Sequence, residues 1–269
     1  MKSVQLGLSG AVRPVAPESG SSSEVLEFRL PHGTAALPAP CFTCPHRQLC
    51  LPWAVDNAAL HDFDGAVLSQ RRLRKGKVLY REGDLFRQIY AVRGGTLKLS
   101  VAAGEERDQV SRVCMPGDIL GLDGIARGVF GATATAIEDS QVCSIPFATL
   151  MALTRLRSQW QESLCHAMAA EVVRGQQHMV LLGSYRTEAR VASFLLQLSS
   201  RLEQRGYSAS DFHLRLSRDE IGSYLGLALE TISRTLSAFQ RSGWIEVHKR
   251  HVRLQDMAGL QRVAAGGAS

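Results

Sequence analysis

The pattern of apolar and polar positions changes along the chain and separates a strand-rich region from two helical ones. Between about residues 60 and 150, short apolar runs alternate with turn residues at a spacing near ten. Tight turns fit Gly83-Asp84, Gly94-Gly95 and Gly117-Asp118, because glycine reaches positive φ without a Cβ clash. This spacing predicts a small antiparallel sandwich or barrel.

From about residue 147 the large apolar residues recur at intervals of mostly three and four, which is the period of a helix. A helix over residues 158 to 183 would be roughly 39 Å long at ~1.5 Å per residue. An apolar stripe of that length extends beyond the preceding sandwich. It can pack on the chain's own core or against a second copy, and we favour the second copy.

The last region, from residue 185 onwards, contains the capping and turn residues typical of two short helices followed by a hairpin. Ser217, with Glu220 three residues later, forms a capping box that opens the first helix. Gly226 lies in the turn, and the second helix begins near Leu229 and is closed by Gly243. "WIEVHKRHVRL" then has the pattern of two strands around a basic turn. The region is therefore predicted to be a winged helix-turn-helix.

The second helix of this pair presents Glu230, Ser233, Arg234 and Ser237 on one face at helical spacing. A helix that enters the major groove needs such a face, since arginine pairs with guanine and glutamate accepts from cytosine. A solvated face on an ordinary helical hairpin is the alternative, and the charge of the region does not decide between them. The predicted DNA-contacting residues are Ser217, Arg218, Glu230, Thr231, Ser233 and Arg234.

Composition narrows the class of protein without identifying it. The formal net charge of +6 suits a polyanionic partner, although many basic proteins bind none. No run of ~18 apolar residues is present, so no membrane partner is expected. The first residues contain no continuous apolar core of signal-peptide length, which favours a cytoplasmic location.

Three of the six cysteines lie within ten residues, in "CFTCPHRQLC". Structural disulfides are disfavoured in a reducing compartment, so the six cysteines, Cys41, Cys44 and Cys50 among them, are predicted to be buried thiols, redox thiols or metal ligands. Five residues separate Cys44 from Cys50, which is more than the usual spacing between two cysteine ligands of zinc. The residues alone nevertheless favour a zinc site and an iron–sulfur cluster about equally. A metal-free thiol–disulfide switch between Cys41 and Cys50 also stays open.

Five stretches resemble, in order, the fumarate and nitrate reduction regulators of the Crp–Fnr superfamily, over about residues 41 to 256. They are "CFTCPHRQLC", "GDILGLDGI", "SQVCSIPF", "EARVASFLLQLSSRLEQRGYS" and "RDEIGSYLGLALETISRTLSAFQRSG". The resemblance implies an oxygen-responsive, homodimeric transcription regulator, an activator or repressor, that binds double-stranded DNA at a two-fold symmetric TTGAT…ATCAA site. RNA polymerase is then an expected partner, and no catalytic residues are expected.

The resemblance also implies a [4Fe–4S] cluster on four thiolates. Cys41, Cys44 and Cys50 match the first three ligands, and Cys143 in "SQVCSIPF" matches the fourth, which precedes an Ile-Pro-Phe sequence in the family. Cys114 is then interpreted as a buried strand thiol and Cys165 as a thiol that packs in the helix. By the same resemblance, Glu230, Ser233 and Arg234 match the family's base-reading residues.

Two features of the long helix depart from the family's pattern. The segment "AEVVRGQQHMVLLGS" is one residue longer, and it lacks the aspartate that the family carries in its dimer helix. Such a charge opposes pairing by like-charge repulsion, so the dimerisation threshold is left open.

The sequence disfavours two other functions, cyclic nucleotide binding and enzymatic catalysis. A cyclic nucleotide would need an acidic residue and an arginine beside serine or threonine, and the "GATATA" run supplies no such arginine, so none is expected. Asp118 is the acidic candidate. An enzyme is disfavoured because the adjacent Cys165 and His166 point apart on a helix.

The predicted fold class is α+β, with an antiparallel β-roll of the cyclic-nucleotide-binding jelly-roll type, a long dimerisation helix and a winged helix-turn-helix. The predicted domains are a flexible leader (1–40), a cluster loop with a sensory roll (41–150), the dimerisation helix (151–184) and the DNA-binding domain (185–269).

Overall fold

The structure is a computed structural model of the 269-residue chain, and it describes residues 41–64, 69–104 and 108–266. The predicted leader, residues 1–40, lies outside the described residues, so its flexibility stays a prediction.

The β-roll consists of two four-stranded antiparallel sheets, with strand orders β1-β8-β3-β6 and β2-β7-β4-β5. Its strands are β1 Ser69–Leu73, β2 Val78–Tyr80, β3 Gln88–Gly94, β4 Leu97–Ala102, β5 Asp108–Cys114, β6 Ile119–Leu120, β7 Thr133–Ala136 and β8 Ser140–Pro146. The predicted antiparallel roll is therefore confirmed.

Aromatic and aliphatic side chains fill the space between these two sheets. The rings of Tyr80 and Phe130 stack with centroids 3.8 Å apart, and Tyr80 and Tyr90 stack at 5.6 Å. The turn before β4 requires Gly95, which has a φ of 77°. A Cβ at this position would lie 2.3 Å from the Oγ of Ser140, the first residue of β8. Any larger residue would therefore push the turn before β4 away from β8.

Helices α1 Asn57–Asp64, α2 Gly124–Arg127 and α3 Phe147–Leu156 cover the roll, and α4 Ser158–Ser184 is the long helix. The predicted helix over 158 to 183 is confirmed. The dimerisation helix was predicted to begin at residue 151, but the long helix begins at Ser158. Residue 151 lies in α3, which continues to Leu156, and Arg157 between the two helices is extended, with φ −143° and ψ 127°. The fully buried Trp160 anchors the start of α4.

The C-terminal region has its own hydrophobic core and a three-stranded antiparallel sheet of order β10-β11-β9. Its elements are α5 Thr187–Glu203, β9 Asp211–His213, α6 Arg218–Leu225, α7 Leu229–Arg241, β10 Ile245–His248, β11 His251–Leu254 and α8 Met257–Ala264. The predicted winged helix-turn-helix is confirmed, while β9 and α8 were not predicted. None of the helices in the described ranges is long and apolar enough to cross a membrane.

Candidate metal centre and DNA-binding surface

The segment that carries three cysteines lies against the β-roll as a loop of two short 3-10 turns, Cys41–Thr43 and Arg47–Leu49. Leu51, which follows the loop, is buried in a core that includes α1 and the start of α4. Gly117, at the turn before β6, allows the loop to approach, since a Cβ there would lie 2.7 Å from the Cβ of Leu49.

The four cysteines proposed as ligands border one small cavity of about 30 Å³ between the loop and the roll. Cys41, Cys44 and Cys50 contribute the loop side. Cys143 contributes the roll side from β8, where it is paired with Gln70 of β1 and with a residue of β3. Distant parts of the sequence thus bring the predicted thiols to one place.

The thiols influence one another electrostatically. Burial raises the pKa of the Cys50 thiol, and the neighbouring Cys41, Cys143 and Cys44 raise it further. Burial also raises the pKa of Cys143, while the guanidinium of Arg93 partly offsets that rise. The thiolate forms of Cys50 and Cys143 are therefore disfavoured in the metal-free protein, and metal coordination would deprotonate these two thiols.

The donor set fits a soft metal centre better than a hard one. Four thiols from two segments are what a [4Fe–4S] cluster or a structural zinc ion takes. Among the described residues, however, no three histidine, cysteine, aspartate or glutamate side chains are close enough to hold a metal ion. The cavity holds little more than a water molecule, so a metal centre requires the thiols to rearrange around it.

The remaining two cysteines lie elsewhere. Cys114 is fully buried at the end of β5, as predicted for a strand thiol. Cys165 is exposed on α4 in the protomer, so its expected role as a helix-packing thiol stays a prediction. The buried face of α4 at this point is formed instead by Ser163 and Leu164, and position 165 faces away from the roll.

The capping box predicted at the start of α6 is formed in both directions. The Oγ of Ser217 accepts a hydrogen bond from the backbone N–H of Glu220 at 3.1 Å, and the Ser217 N–H donates to the Glu220 carboxylate at 2.7 Å. Gly226 has the predicted left-handed conformation, with φ 65°. Gly222 was missed, although a Cβ there would lie 2.5 Å from the Leu227 carbonyl oxygen; a glycine inside a helical pattern was the available signal.

Helix α7 has one buried and one accessible face. Ile232, Leu236 and Phe239 pack into the core. On the other face, Glu230 and Arg234 are exposed. The candidate residues Thr231 and Ser233 are partly exposed beside them. The predicted division of this helix into a core face and a polar face is therefore present.

The wing lies next to the start of α6. Strands β10 and β11 meet at a turn in which Lys249 has a φ of 56°. The guanidinium of Arg218 donates a hydrogen bond to the Lys249 carbonyl oxygen at 3.1 Å. Burial lowers the pKa of Arg218, and the neighbouring charge of Arg250 lowers it further. The guanidinium groups of Arg218 and Arg250 thus lie near each other at the edge of the helix pair.

Sequence reasoning missed a charge network that joins the roll to the C-terminal region. The buried Asp118 accepts from Arg201 of α5 at 2.5 Å and from Arg205, in the turn after α5, at 3.1 Å. Lys98 of β4 also pairs with Glu220 of α6 at 2.8 Å. The only sequence feature that indicated this network was the spacing of Arg201 and Arg205, four residues apart. Their common partner, Asp118, is distant in the chain and could not be identified from that spacing.

Asp118 was the acidic candidate for a cyclic nucleotide, and its carboxylate is already engaged by two guanidinium groups. Aromatic rings occupy the interior of the roll, as described above for Tyr80 and Phe130. The expectation that no cyclic nucleotide binds here stays a prediction.

A β-roll, a long helix and a winged helix-turn-helix together define a DNA-binding transcription regulator. Residues 70–156 match the cyclic nucleotide-binding domain, and residues 189–263 match the Crp-like helix-turn-helix domain. The chain is 40% identical over 229 residues (85% of this chain, 93% of the relative) to the transcriptional activator protein FnrA of Stutzerimonas stutzeri.

It is 34% identical over 224 residues to the fumarate and nitrate reduction regulatory protein of Escherichia coli K12, covering 83% of this chain and 90% of that protein. The solved structure of FixK2 from Bradyrhizobium japonicum aligns with a TM-score of 0.67 at 30% identity, over 75% of this chain and 98% of that one. The chain belongs to the fumarate and nitrate reduction regulators of the Crp–Fnr superfamily.

Proposed function

We propose that this chain is an oxygen-responsive, homodimeric regulator in which a [4Fe–4S] cluster controls dimerisation and DNA binding. The observation that carries the proposal is the cavity that Cys41, Cys44, Cys50 and Cys143 border together. These four thiols would hold the cluster, and a cytoplasmic location would keep them reduced. The name of the Escherichia coli relative, a regulator of fumarate and nitrate reduction, supports a role in anaerobic metabolism.

The loop is well connected to the long helix, which supports control of dimerisation by the thiols. The ring of Trp53 lies 4.6 Å from that of His166 on α4, and Phe63 stacks on Trp160 at 4.5 Å. The amide of Gln159 donates to the Asp56 carboxylate at 3.1 Å. A loop held against β8 therefore keeps the start of α4 in place.

The other face of α4 supports pairing with a second copy. Large apolar side chains are exposed along it at helical spacing, and an exposed stripe of this kind needs a partner surface. The stripe consists of Met168, Val172, Val173, Met179 and Val180. Gln176 occurs between Val172 and Met179, where a neutral amide adds no charge repulsion to the seam.

The polar face of α7 would read the DNA. Arg234 would pair with a guanine and Glu230 with a cytosine, with Ser233 short enough to allow close approach. Arg218 and the wing would contact phosphates. In a dimer the two α7 helices would occupy half-sites of a TTGAT…ATCAA-like sequence about one DNA turn apart, with RNA polymerase as the partner of the bound complex.

When bound, the cluster supplies a link among four thiolates that oxygen breaks. The residues of the chain transmit the change: with the thiols held together, the loop stays on the roll and α4 stays paired. With the thiols released, the contacts of Trp53 and Asp56 with α4 loosen, and the half-sites are no longer held as a pair.

The test measures iron, sulfide and operator affinity of the full chain, purified without oxygen and then exposed to air. We expect about four irons and four sulfides per protomer, as one cubane requires, and a loss of operator affinity in air. A Cys143→Ala variant should lose both the iron and the anaerobic affinity.

The matched control is Cys114→Ala, because Cys114 is also a strand thiol of the roll but lies away from the cavity. It should keep the iron. A colourless protein with one zinc per protomer would assign the same thiols to zinc. Iron loss in the Cys114 variant alone would contradict the ligand assignment.

A further inference from the structure

A second and larger cavity, of about 540 Å³, lies beside the cysteine loop, and Cys50 lines both this cavity and the small one. The loop side is lined by Leu49 and Trp53, the roll side by β5, and the remaining sides by α4 and α5. Its α4 residues, such as Ala167 and Arg174, are on the face opposite the exposed apolar stripe, by the 100° step of a helix. A partner helix on that stripe would therefore leave the cavity uncovered.

The cavity has a surplus of positive charge. Four arginines and two carboxylates line it, which leaves two guanidinium charges in excess. Each carboxylate is shared between two arginines: Asp118 pairs with Arg201 and Arg205, and Glu171 pairs with Arg112 and Arg174. Excess charge in a partly buried space is unfavourable unless an anion accompanies it.

One of these arginines also has unsatisfied donors. The Nε of Arg112 is inaccessible to solvent and has no hydrogen-bond partner among the described residues. The Nδ1 of His178, whose ring stacks on that of Tyr224 at 4.3 Å, is buried in the same way. Buried polar atoms without partners are rare in folded proteins, and each calls for an explanation. Both side chains line this cavity.

We propose that this cavity binds a small oxyanion with at least two negative charges, of the phosphate or polycarboxylate class. Guanidinium groups recognise such anions through paired N–H donors, and the volume is in the range of small-molecule sites. The anion would balance the surplus charge of the arginines that line the cavity. Cys50 lines this site, but its arginines take no part in the thiol set or in α7, so the proposal goes beyond the function proposed above.

The position of the site gives the anion a defined consequence. Arg112 belongs to the roll and Arg174 to the long helix, while Arg201 lies on α5 and Arg205 in the turn that follows it. A bound anion would join all three elements and stabilise their observed arrangement. The regulator would then respond to a second chemical signal besides the state of its thiols.

The experiment is calorimetric titration of the full chain, purified without oxygen and free of DNA, with sodium pyrophosphate and separately with sodium citrate. We expect saturable binding of one anion per protomer at ~0.15 M salt. Binding of pyrophosphate alone would assign the phosphate class, and binding of citrate alone would assign the carboxylate class. Binding of neither, with dissociation constants above about 1 mM, would overturn the proposal.

The decisive variant is Arg174→Gln, because this side chain is 43% exposed and its loss leaves Arg112 paired with Glu171. It should weaken anion binding by about tenfold or more, since a hydrogen-bonded charge is lost. The matched control is Arg262→Gln, which removes the same charge from an exposed site on α8. Equal weakening in both variants would show general attraction to a basic protein and would overturn the site.

Discussion

At the scale of single residues, Arg234 is the side chain whose removal should change DNA recognition most directly. It is exposed on the polar face of α7. An Arg234→Ala change should relax base preference and weaken binding by ~1–3 kcal/mol per half-site. Operator variants measured in a mobility-shift titration would show this. Arg241→Ala, at the end of the same helix, is the control and should weaken all sequences alike. An unchanged preference in the Arg234 variant would remove it from the base-reading set.

Asp118 is the residue on which the contact between the roll and α5 most depends. Burial opposes its ionisation, but Arg201, Arg112 and Arg205 outweigh burial and hold its pKa below the ordinary range. A carboxyl with a lowered folded-state pKa contributes stability that is present above about pH 4 and is lost as pH falls through the folded pKa.

Asp118→Asn should therefore lower the free energy of unfolding by about 3 kcal/mol at pH 7, since it leaves buried guanidinium groups without their partner. The difference from the unaltered chain should shrink below about pH 4. Urea denaturation across this pH range would measure it, with the exposed Asp219→Asn as control. A difference that stays constant with pH would contradict the charge-based explanation.

At the scale of elements, the docking of the cysteine loop depends on a turn glycine. Gly117 combines a φ of 94° with contact to Leu49, whereas Gly76 has a φ of 79° and open space around its Cα. Gly76→Ala should cost about 1 kcal/mol from backbone strain alone. Gly117→Ala should cost more, because its methyl group also displaces the loop.

The two alanine variants can be compared by thermal unfolding and by the rate at which iron is lost in air. Only the Gly117 variant should lose iron faster than the unaltered chain. Equal rates in the two variants would mean that the loop is not held by its contact with this turn.

At the scale of the whole molecule, the exposed stripe on α4 predicts a dimer that a single charge disrupts. Val172 is 60% exposed in the protomer and lies in the middle of the stripe. A Val172→Glu change places two carboxylates at the seam, and burying an unpaired charge costs several kcal/mol. Each 1.4 kcal/mol raises the dissociation constant of the dimer about tenfold, so the variant dimer should dissociate at micromolar concentration.

Analytical ultracentrifugation of protein kept without oxygen would measure this change. Gln261→Glu adds the same charge to the exposed side of α8 and should leave the dimer intact. A Val172 variant that remains dimeric would place the subunit interface on another surface.

The local patterns of the sequence by themselves determined the secondary-structure elements of this protein and several of their caps and turns. The period of apolar residues gave the roll, the long helix and the helix pair, because strand and helix periods follow from backbone geometry alone. The capping box at Ser217 and the turn at Gly226 follow from satisfying backbone groups within a few residues.

Only the tertiary structure decided which distant residues share a space. It brought Cys143 beside the loop cysteines, which the sequence had indicated by resemblance and not by spacing. It also paired Asp118 with Arg201 and Arg205 and placed Cys165 on the exposed face of α4. Such pairings depend on how the roll, α4 and α5 pack, and packing is a long-range property that no local period encodes.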